Sequence, residues 1–295
     1  MSYRFENSVT MIDDKTGKKI NAKNGGTFFT AEDQRAKELR KEAEAKRRQR
    51  RDLTSGYGGF VLMRKVPLDK SISPQTLGRL TYLAVYLTYE DDNRLMLTER
   101  QPMFRQDLPQ ILGLPERTVD RFVKEAKSAG ILLVDKYGQL FMDDSTFFRG
   151  KTKRRKKMRL YRKPIKQLYQ KMSRNYDHYF GYVIALVPYI NKEWNYVCRS
   201  RENAEEKDLH KLDCMSIQDI CKLLDFDPTH SSRLIDKLKS IKFVWDGQEQ
   251  ALCNFIKEIG SKEYNMIINP DILYMGSKPE QVKVLGKYFP VKRKA

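Results

Sequence analysis

Two stretches of this chain carry side chains suited to base edges and to the phosphates between them. In the first, Arg117, Thr118, Arg121 and Lys124 lie off the apolar face of a helix whose Phe122, Val123 and Ala126 point inward. Arg117 and Arg121 are four apart, so they project from one face. A guanidinium can take guanine O6 and N7 bidentately, and a hydroxyl or an ammonium suits phosphate oxygens. In the second, Thr229, His230, Ser232, Arg233 and Lys237 occupy the equivalent side. Asp120 and Asp236 lie nearby, placed to orient these side chains or to accept from cytosine N4. A loop between two short strands adds Lys136 and Tyr137, while the corresponding loop at Asp246 and Glu249 is a poor phosphate binder. The run Lys153, Arg154, Arg155, Lys156, Lys157 would cross a backbone or enter a minor groove, giving affinity rather than sequence choice. A plain solvated helix surface gives the same pattern, since exposed Arg and Lys are common. The distribution of charge and the elements beneath it must decide.

The 295 residues hold 57 Lys+Arg against 38 Asp+Glu, a formal charge of +19. Eleven basic residues and no acid lie from Arg149 to Lys166, and nine basic residues against three acids (Glu38, Glu42, Glu44) from Arg35 to Arg51. These two segments hold nearly all the excess. A solvated surface mixes both signs, so such concentration points to a docked polyanion. Neither run has the bulky apolar face of an interfacial helix, which favours nucleic acid over a membrane surface. The longest apolar run, Tyr182 to Ile190, is far short of the ~20 residues that span a bilayer. With no apolar N-terminal leader, a cytoplasmic, nucleoid-associated protein is expected. The four cysteines (Cys198, Cys214, Cys221, Cys253) are too scattered for a disulfide framework. Hydrophobic residues make up 40%, enough for real cores, and the length suggests two domains plus extensions.

Periodicity supplies the elements. Residues 1–58 read as a basic arm: a hairpin over Val9 to Ile20 around Asp14-Lys-Thr-Gly17, then a helix from Ala31 to about Leu53 behind a Thr30/Asp33 capping box. That helix has almost no large apolar residue beyond Leu39, so it is exposed or orders on a partner. Ser55-Gly-Tyr-Gly-Gly59 lacks the Walker spacing and reads as a flexible joint. Residues 59–150 then give a helix over Pro74 to Thr88, a strand at Leu95–Leu97, a helix at Asp107–Leu112, a tight turn at Gly113, a helix at Glu116–Ala129, and strands at Ile131–Val134 and Leu140–Met142. Residues 151–174 form a basic linker and a connecting helix. Its Pro164 suits the first helical position, and Ile165, Leu168, Tyr169 and Met172 form a stripe for the next unit or for another subunit, hence a homodimer.

Residues 175–278 repeat the first unit. A shift of 112 takes Leu108, Ile111, Leu112 and Leu114 onto Ile220, Leu223, Leu224 and Phe226, and Phe122 and Ala126 onto Leu234 and Leu238. Asp107, Arg121, Lys127 and Ser128 meet identical residues, and Ile131 and Leu133 meet Phe243 and Trp245. The first helix repeats at a shift of 103, Leu77-Gly78 onto Phe180-Gly181, so nine extra residues lie in the connection between helices. A hairpin of Leu252–Ile256 with Tyr264–Ile268 follows. Residues 279–295 form a terminal helix and basic tail.

The order helix, strand, helix, tight turn, helix, hairpin resembles the winged helix-turn-helix superfamily. The expected fold is therefore mainly α with small β-hairpins (α+β), two such units in tandem. The segments Gly59-Phe-Val-Leu-Met63, Leu112-Gly-Leu114, Gly181 to Tyr189 and Ile268 to Gly276 sit in a body similar to plasmid and phage replication initiators of Gram-positive bacteria. That resemblance implies a protein that binds repeated origin sites in double-stranded DNA, opens adjacent duplex and recruits host replication proteins. A phage or plasmid transcriptional repressor shares the architecture, and a non-specific nucleoid or RNA-binding protein is a third reading. Catalysis is not expected. There is no P-loop, His178, His210 and His230 are isolated, and the pairs Asp91-Asp92 and Asp143-Asp144 would point to opposite faces of a strand. His210, Cys214 and Cys221 lack zinc-ligand spacing, so no metal or other cofactor is expected.

Overall fold

In the computed structural model, residues 3–4, 9–12, 19–22, 27–28, 35–45, 56–65, 71–89, 92–150, 157–257, 264–276 and 279–291 are described. They fall into two units, Met1–Leu53 and Thr54–Ala295. In the first, β1 (Tyr3–Arg4) pairs antiparallel with β4 (Thr27–Phe28), and β2 (Val9–Ile12) with β3 (Lys19–Ala22). The latter pair is the expected hairpin, though its turn at Asp14–Gly17 lies outside the described residues. A helix α1 over 35–45 is exposed along its whole length. The capping box at Thr30/Asp33 and the helix beyond residue 45 also lie outside the described residues.

The second unit contains β5 (Phe60–Arg64), α2 (Pro74–Ala84), α3 (Leu108–Leu112), α4 (Glu116–Ser128), β6 (Leu132–Val134), β7 (Leu140–Met142) and β8 (Phe147–Phe148). It continues with β9 (Lys157–Tyr161), α5 (Arg162–Lys171), α6 (Asp177–Ala185), α7 (Ile217–Leu223), α8 (Ser231–Ser240), β10 (Lys242–Trp245), β11 (Gln248–Ala251), β12 (Cys253–Lys257), β13 (Tyr264–Ile268), β14 (Leu273–Tyr274) and α9 (Pro279–Gly286). The class is mixed α+β, with small antiparallel sheets.

Local chemistry starts these elements. Ser73 is extended and its side chain accepts the Thr76 amide, with Pro74 next, so α2 begins where the sequence places it. Gly113 takes the left-handed conformation (φ 64°) that ends α3, and α4 begins three residues later. In α4, Phe122 and Ala126 are buried and Val123 is half-buried, and in α8 Leu234 and Leu238 are buried, the inward faces read from their spacing; Val119, which the spacing did not single out, is buried with them. Between β10 and β11, Asp246 and Gly247 both have positive φ, which makes a tight two-residue hairpin turn.

The two halves of this unit meet about an approximate internal dyad. Strands β5 and β9 pair antiparallel, with Phe60 opposite Tyr161 and Arg64 opposite Lys157. β8 flanks β5 as β14 flanks β9, in the order β14-β9-β5-β8. Helices α2 and α6 cross at glycines. A Cβ on Gly181 would lie 1.7 Å from the Pro74 carbonyl oxygen, and one on Gly78 would lie 2.5 Å from that of Asp177. Gly78 and Pro74 correspond to Gly181 and Asp177 at the same shift of 103, so the close approach is reciprocal. One hydrophobic cluster runs through both halves, from Val61 to Leu273.

At that crossing Arg79 bonds Asp177 (2.9 Å), with both side chains nearly enclosed; Arg174 lies 3.8 Å from Asp177 and Tyr169 donates to it (3.4 Å). Burial pushes the Asp177 carboxyl above its ordinary value despite these partners. Nothing in the spacing of α2 marks Arg79 as buried.

Four expectations need correction. Helix α5 starts at Arg162, two residues before Pro164, because the first amides of a helix need no internal acceptor and a proline fits anywhere among them. Its stripe packs within the chain on both halves: Tyr169 stacks on Tyr82 of α2 at 3.9 Å, and the helix lies along β10. The glycine segment is no loose joint over its described part, Gly56–Gly59. Tyr57 stacks between Tyr161 (4.3 Å) and Trp245 (4.8 Å) and donates to Asp271 (2.5 Å), while Gly59 and Tyr57 carbonyls accept from Arg162 and Lys163. Finally, Leu133 does not match Trp245. The Ile131 carbonyl accepts from Asp143 as that of Ile241 does from Leu252, which aligns Leu133 with Phe243. The second copy lacks the turn at Ala129-Gly130, and its hairpin turns the other face inward: Phe243 is buried and Leu133 is 45% exposed. The pair Leu252–Ile256 with Tyr264–Ile268 forms as β12–β13, behind the separate hairpin β10–β11.

Candidate nucleic-acid interface

On α4, Arg117, Arg121 and Lys124 are exposed at spacings of four and three, a single stripe opposite the buried face. Thr118 is half-buried. The Arg121 Nε donates to the Arg117 carbonyl (3.4 Å), which lays the guanidinium along the helix. Asp120 is not available to orient this stripe: it is engaged by Arg105, which precedes α3, and that carboxylate holds the Arg105 guanidinium above its ordinary value. Arg105 is thus a cation at the helix pair that periodicity did not single out. It lies outside the amphipathic stripe, in the connection before α3.

The hairpin after α4 places Lys136 and Tyr137 at an exposed tip, with the ammonium 4.9 Å over the phenol ring. Asp135 accepts from the Tyr137 and Gln139 amides, and Gly138 has positive φ, so the tip is a hydrogen-bonded turn with both side chains outward.

On α8 the set divides. Arg233 and Ser232 are exposed on the helix, and Thr229 and His230 are exposed on the single turn before it. Thr229 donates its hydroxyl to Asp227 (2.8 Å), and His230 lies 3.9 Å from the same carboxylate. The amide and hydroxyl of Thr229 hold Asp227 below the usual carboxylate range. Lys237 is half-buried and turned to Tyr176, at 3.5 Å from its hydroxyl and 5.3 Å from its ring. This mirrors the first half, where Glu125, the residue equivalent to Lys237, accepts from the Ser73 amide (2.5 Å) and the Thr76 hydroxyl (2.6 Å) at the start of α2. Each helix is therefore fixed to the N-terminus of its own half's first helix by one polar side chain. Arg233 and Lys237 also act on His178 of α6, whose imidazole burial and these cations hold below the ordinary value.

Of the basic run, Lys153 to Lys156 lie outside the described residues. Lys157 is the first residue of β9, opposite Arg64, and burial lowers its ammonium. Several neighbours counted with that run belong to the fold. Arg149 donates to the Leu87 carbonyl (2.9 Å), Arg159 to those of Tyr274 (3.2 Å) and Met275 (3.0 Å), and Arg162 to Val85 (2.6 Å). Burial lowers Arg149 and takes Arg162 to about 10. Lys166 lies 4.0 Å over the Tyr86 ring. Sequence counting could not separate these from cations open to solvent, because it cannot see which carbonyls need a donor.

Among the described residues, no group of three or more His, Cys, Asp or Glu is placed to hold a metal ion, and no helix is long and apolar enough to cross a membrane. No family model, no curated protein and no solved structure matches the chain.

Proposed function

We propose that this chain is a sequence-specific double-stranded DNA-binding protein built on two winged helix-turn-helix copies, and that it starts replication of a plasmid or phage by binding repeated sites at an origin. The observation that carries the reading is the duplication itself. A short helix, a left-handed or tight turn, a second helix and a hairpin occur twice about an internal dyad, and the second helix of each copy is exposed on one face, with Arg121 near the middle of α4 and Arg233 in the first turn of α8. Two short helices held at a fixed angle allow the second to lie in a major groove while the first braces it. An internal dyad presents the two reading helices with opposite polarity, so one chain meets two half-sites without a second subunit. Lys136 and Tyr137 would flank the first groove. The basic run before β9 would add phosphate contacts common to all sequences.

The test is footprinting of the full chain on DNA of a replicon that encodes it, with permanganate probing of neighbouring thymines. Protected repeats beside an unwound stretch support initiation. A single protected palindrome over a promoter gives the repressor reading, and the absence of any footprint removes sequence-specific binding altogether.

A further inference from the structure

Besides the added hairpin β12–β13, the second half carries nine more residues than the first between its first and second helices. In the first half the equivalent connection is short: Met96 bridges Pro102 across a loop at 97–101. In the second, Cys198 bridges Cys214 across 199–213. Two cysteines thus stand opposite each other at the neck of the insertion.

The bridge geometry is specific. The Arg199 amide donates to the Asp213 carbonyl (2.9 Å) and the Met215 amide to that of Val197 (2.9 Å). The Cys198 amide points the other way, to the Tyr189 carbonyl (2.8 Å). Cys198 and Cys214 are therefore a non-hydrogen-bonded antiparallel pair, the closer of the two pair types, with Cα atoms about 4.5 Å apart and side chains on one face. That separation falls within the range disulfides occupy. Both residues carry thiols; Cys198 is fully buried and Cys214 is partly exposed. The remaining cysteines, Cys221 and Cys253, are buried elsewhere in the core.

We propose that Cys198 and Cys214 form a redox modification site that closes to a disulfide by exchange with a small-molecule disulfide. The partly exposed Cys214 attacks first. Its thiolate bonds one sulfur of the reagent, the reagent's S–S bond breaks, and one small thiolate leaves. Cys198 then loses its proton and attacks the Cys214 sulfur, which releases the second small thiolate. Two protein thiols are oxidised and one reagent disulfide is reduced to two thiols. Burial holds the Cys198 thiol up at about 12, which fits the slower, resolving role. The bond staples the insertion just before Ser216, which caps α7 by accepting the Asp219 amide (3.2 Å).

The test treats the native full-length chain with oxidised glutathione and maps its thiols by mass spectrometry. Trypsin separates Cys198 from Cys214 at Arg199, Arg201, Lys207 and Lys211, and fragment ions between Cys214 and Cys221 assign the bond. The expected product has lost two hydrogen atoms, links Cys198 to Cys214 alone, and melts about 5 °C or more higher until a reductant is added. Cys198→Ala should stop at a stable glutathione adduct on Cys214, and Cys214→Ala should resist the reagent. A lasting adduct on Cys214 in the unsubstituted chain, a bond that uses Cys221 or Cys253, or four unreacted thiols in a chain with native circular dichroism would each overturn the proposal.

Discussion

Among the described residues, Asp177 and Asp271 are carboxyls that burial shifts upward, and each leans on a different partner. Asp177 sits between the halves against Arg79, and Asp271 takes the Tyr57 hydroxyl. A buried ion pair contributes little net stability, but removing one member leaves the other charge enclosed. Arg79→Met should therefore cost about 3–5 kcal/mol at neutral pH in chemical denaturation. The sign of the pH dependence follows from the raised carboxyls. A folded-state value above the unfolded one favours the protonated form in the fold, so the stability is fully present below the unfolded value and is lost as pH rises through the folded one. The gap between Arg79→Met and the unsubstituted chain should thus shrink in acid. Tyr57→Phe should behave in the same way through Asp271, with a smaller deficit at neutral pH that narrows towards acid. A deficit independent of pH in both would show that neither carboxyl responds to its partner.

At the level of elements, the order helix, turn, helix and the inward faces were legible because burial dictates apolar spacing; Gly113 marks the first turn, while in the second Asp225 takes the left-handed conformation (φ 55°) with no glycine to signal it. Leu108, Leu112, Phe122 and Ala126 lie where periodicity put them, and so do Ile220, Leu234 and Leu238. What could not be read is what depends on distant partners. Tyr57 looked like part of a flexible run because its stacking partner Trp245 lies far along the chain. Arg149, Arg159 and Arg162 looked like solvent-facing charge because the carbonyls they serve belong to other elements. Gly78 and Gly181 were visible as a repeated glycine, but only the crossing explains them. Gly181→Ala would drive a Cβ into the Pro74 carbonyl, so α2 and α6 must part, and we expect a loss of about 3 kcal/mol or more. Gly286→Ala, with nothing within 4 Å and no positive φ, should stay within about 1 kcal/mol. Equal losses in the two variants by thermal melts would remove the crossing from its central place.

For the whole molecule, sequence counting pools charges of different use. Arg159 and its neighbours donate to backbone carbonyls of the fold, while Lys153 to Lys156 lie outside the described residues. Neutralising the run Lys153–Lys157 should weaken binding to every duplex alike and flatten the salt dependence by ~0.9 per lost phosphate contact. Arg159→Ala should instead lower the melting temperature. An unchanged salt slope in the first variant would take that run out of the interface. The proposed function requires that two helices, one in each half, read DNA. Selection of bound duplexes from a random pool tests it most directly, run with the unsubstituted chain, with Arg117→Ala/Arg121→Ala and with Arg233→Ala. We expect an enriched site of two parts, one helical turn or a multiple apart, with each variant losing preference in one part only, by on the order of tenfold in affinity. A pool that emerges with no enriched sequence, or one that all three proteins enrich identically, would contradict it.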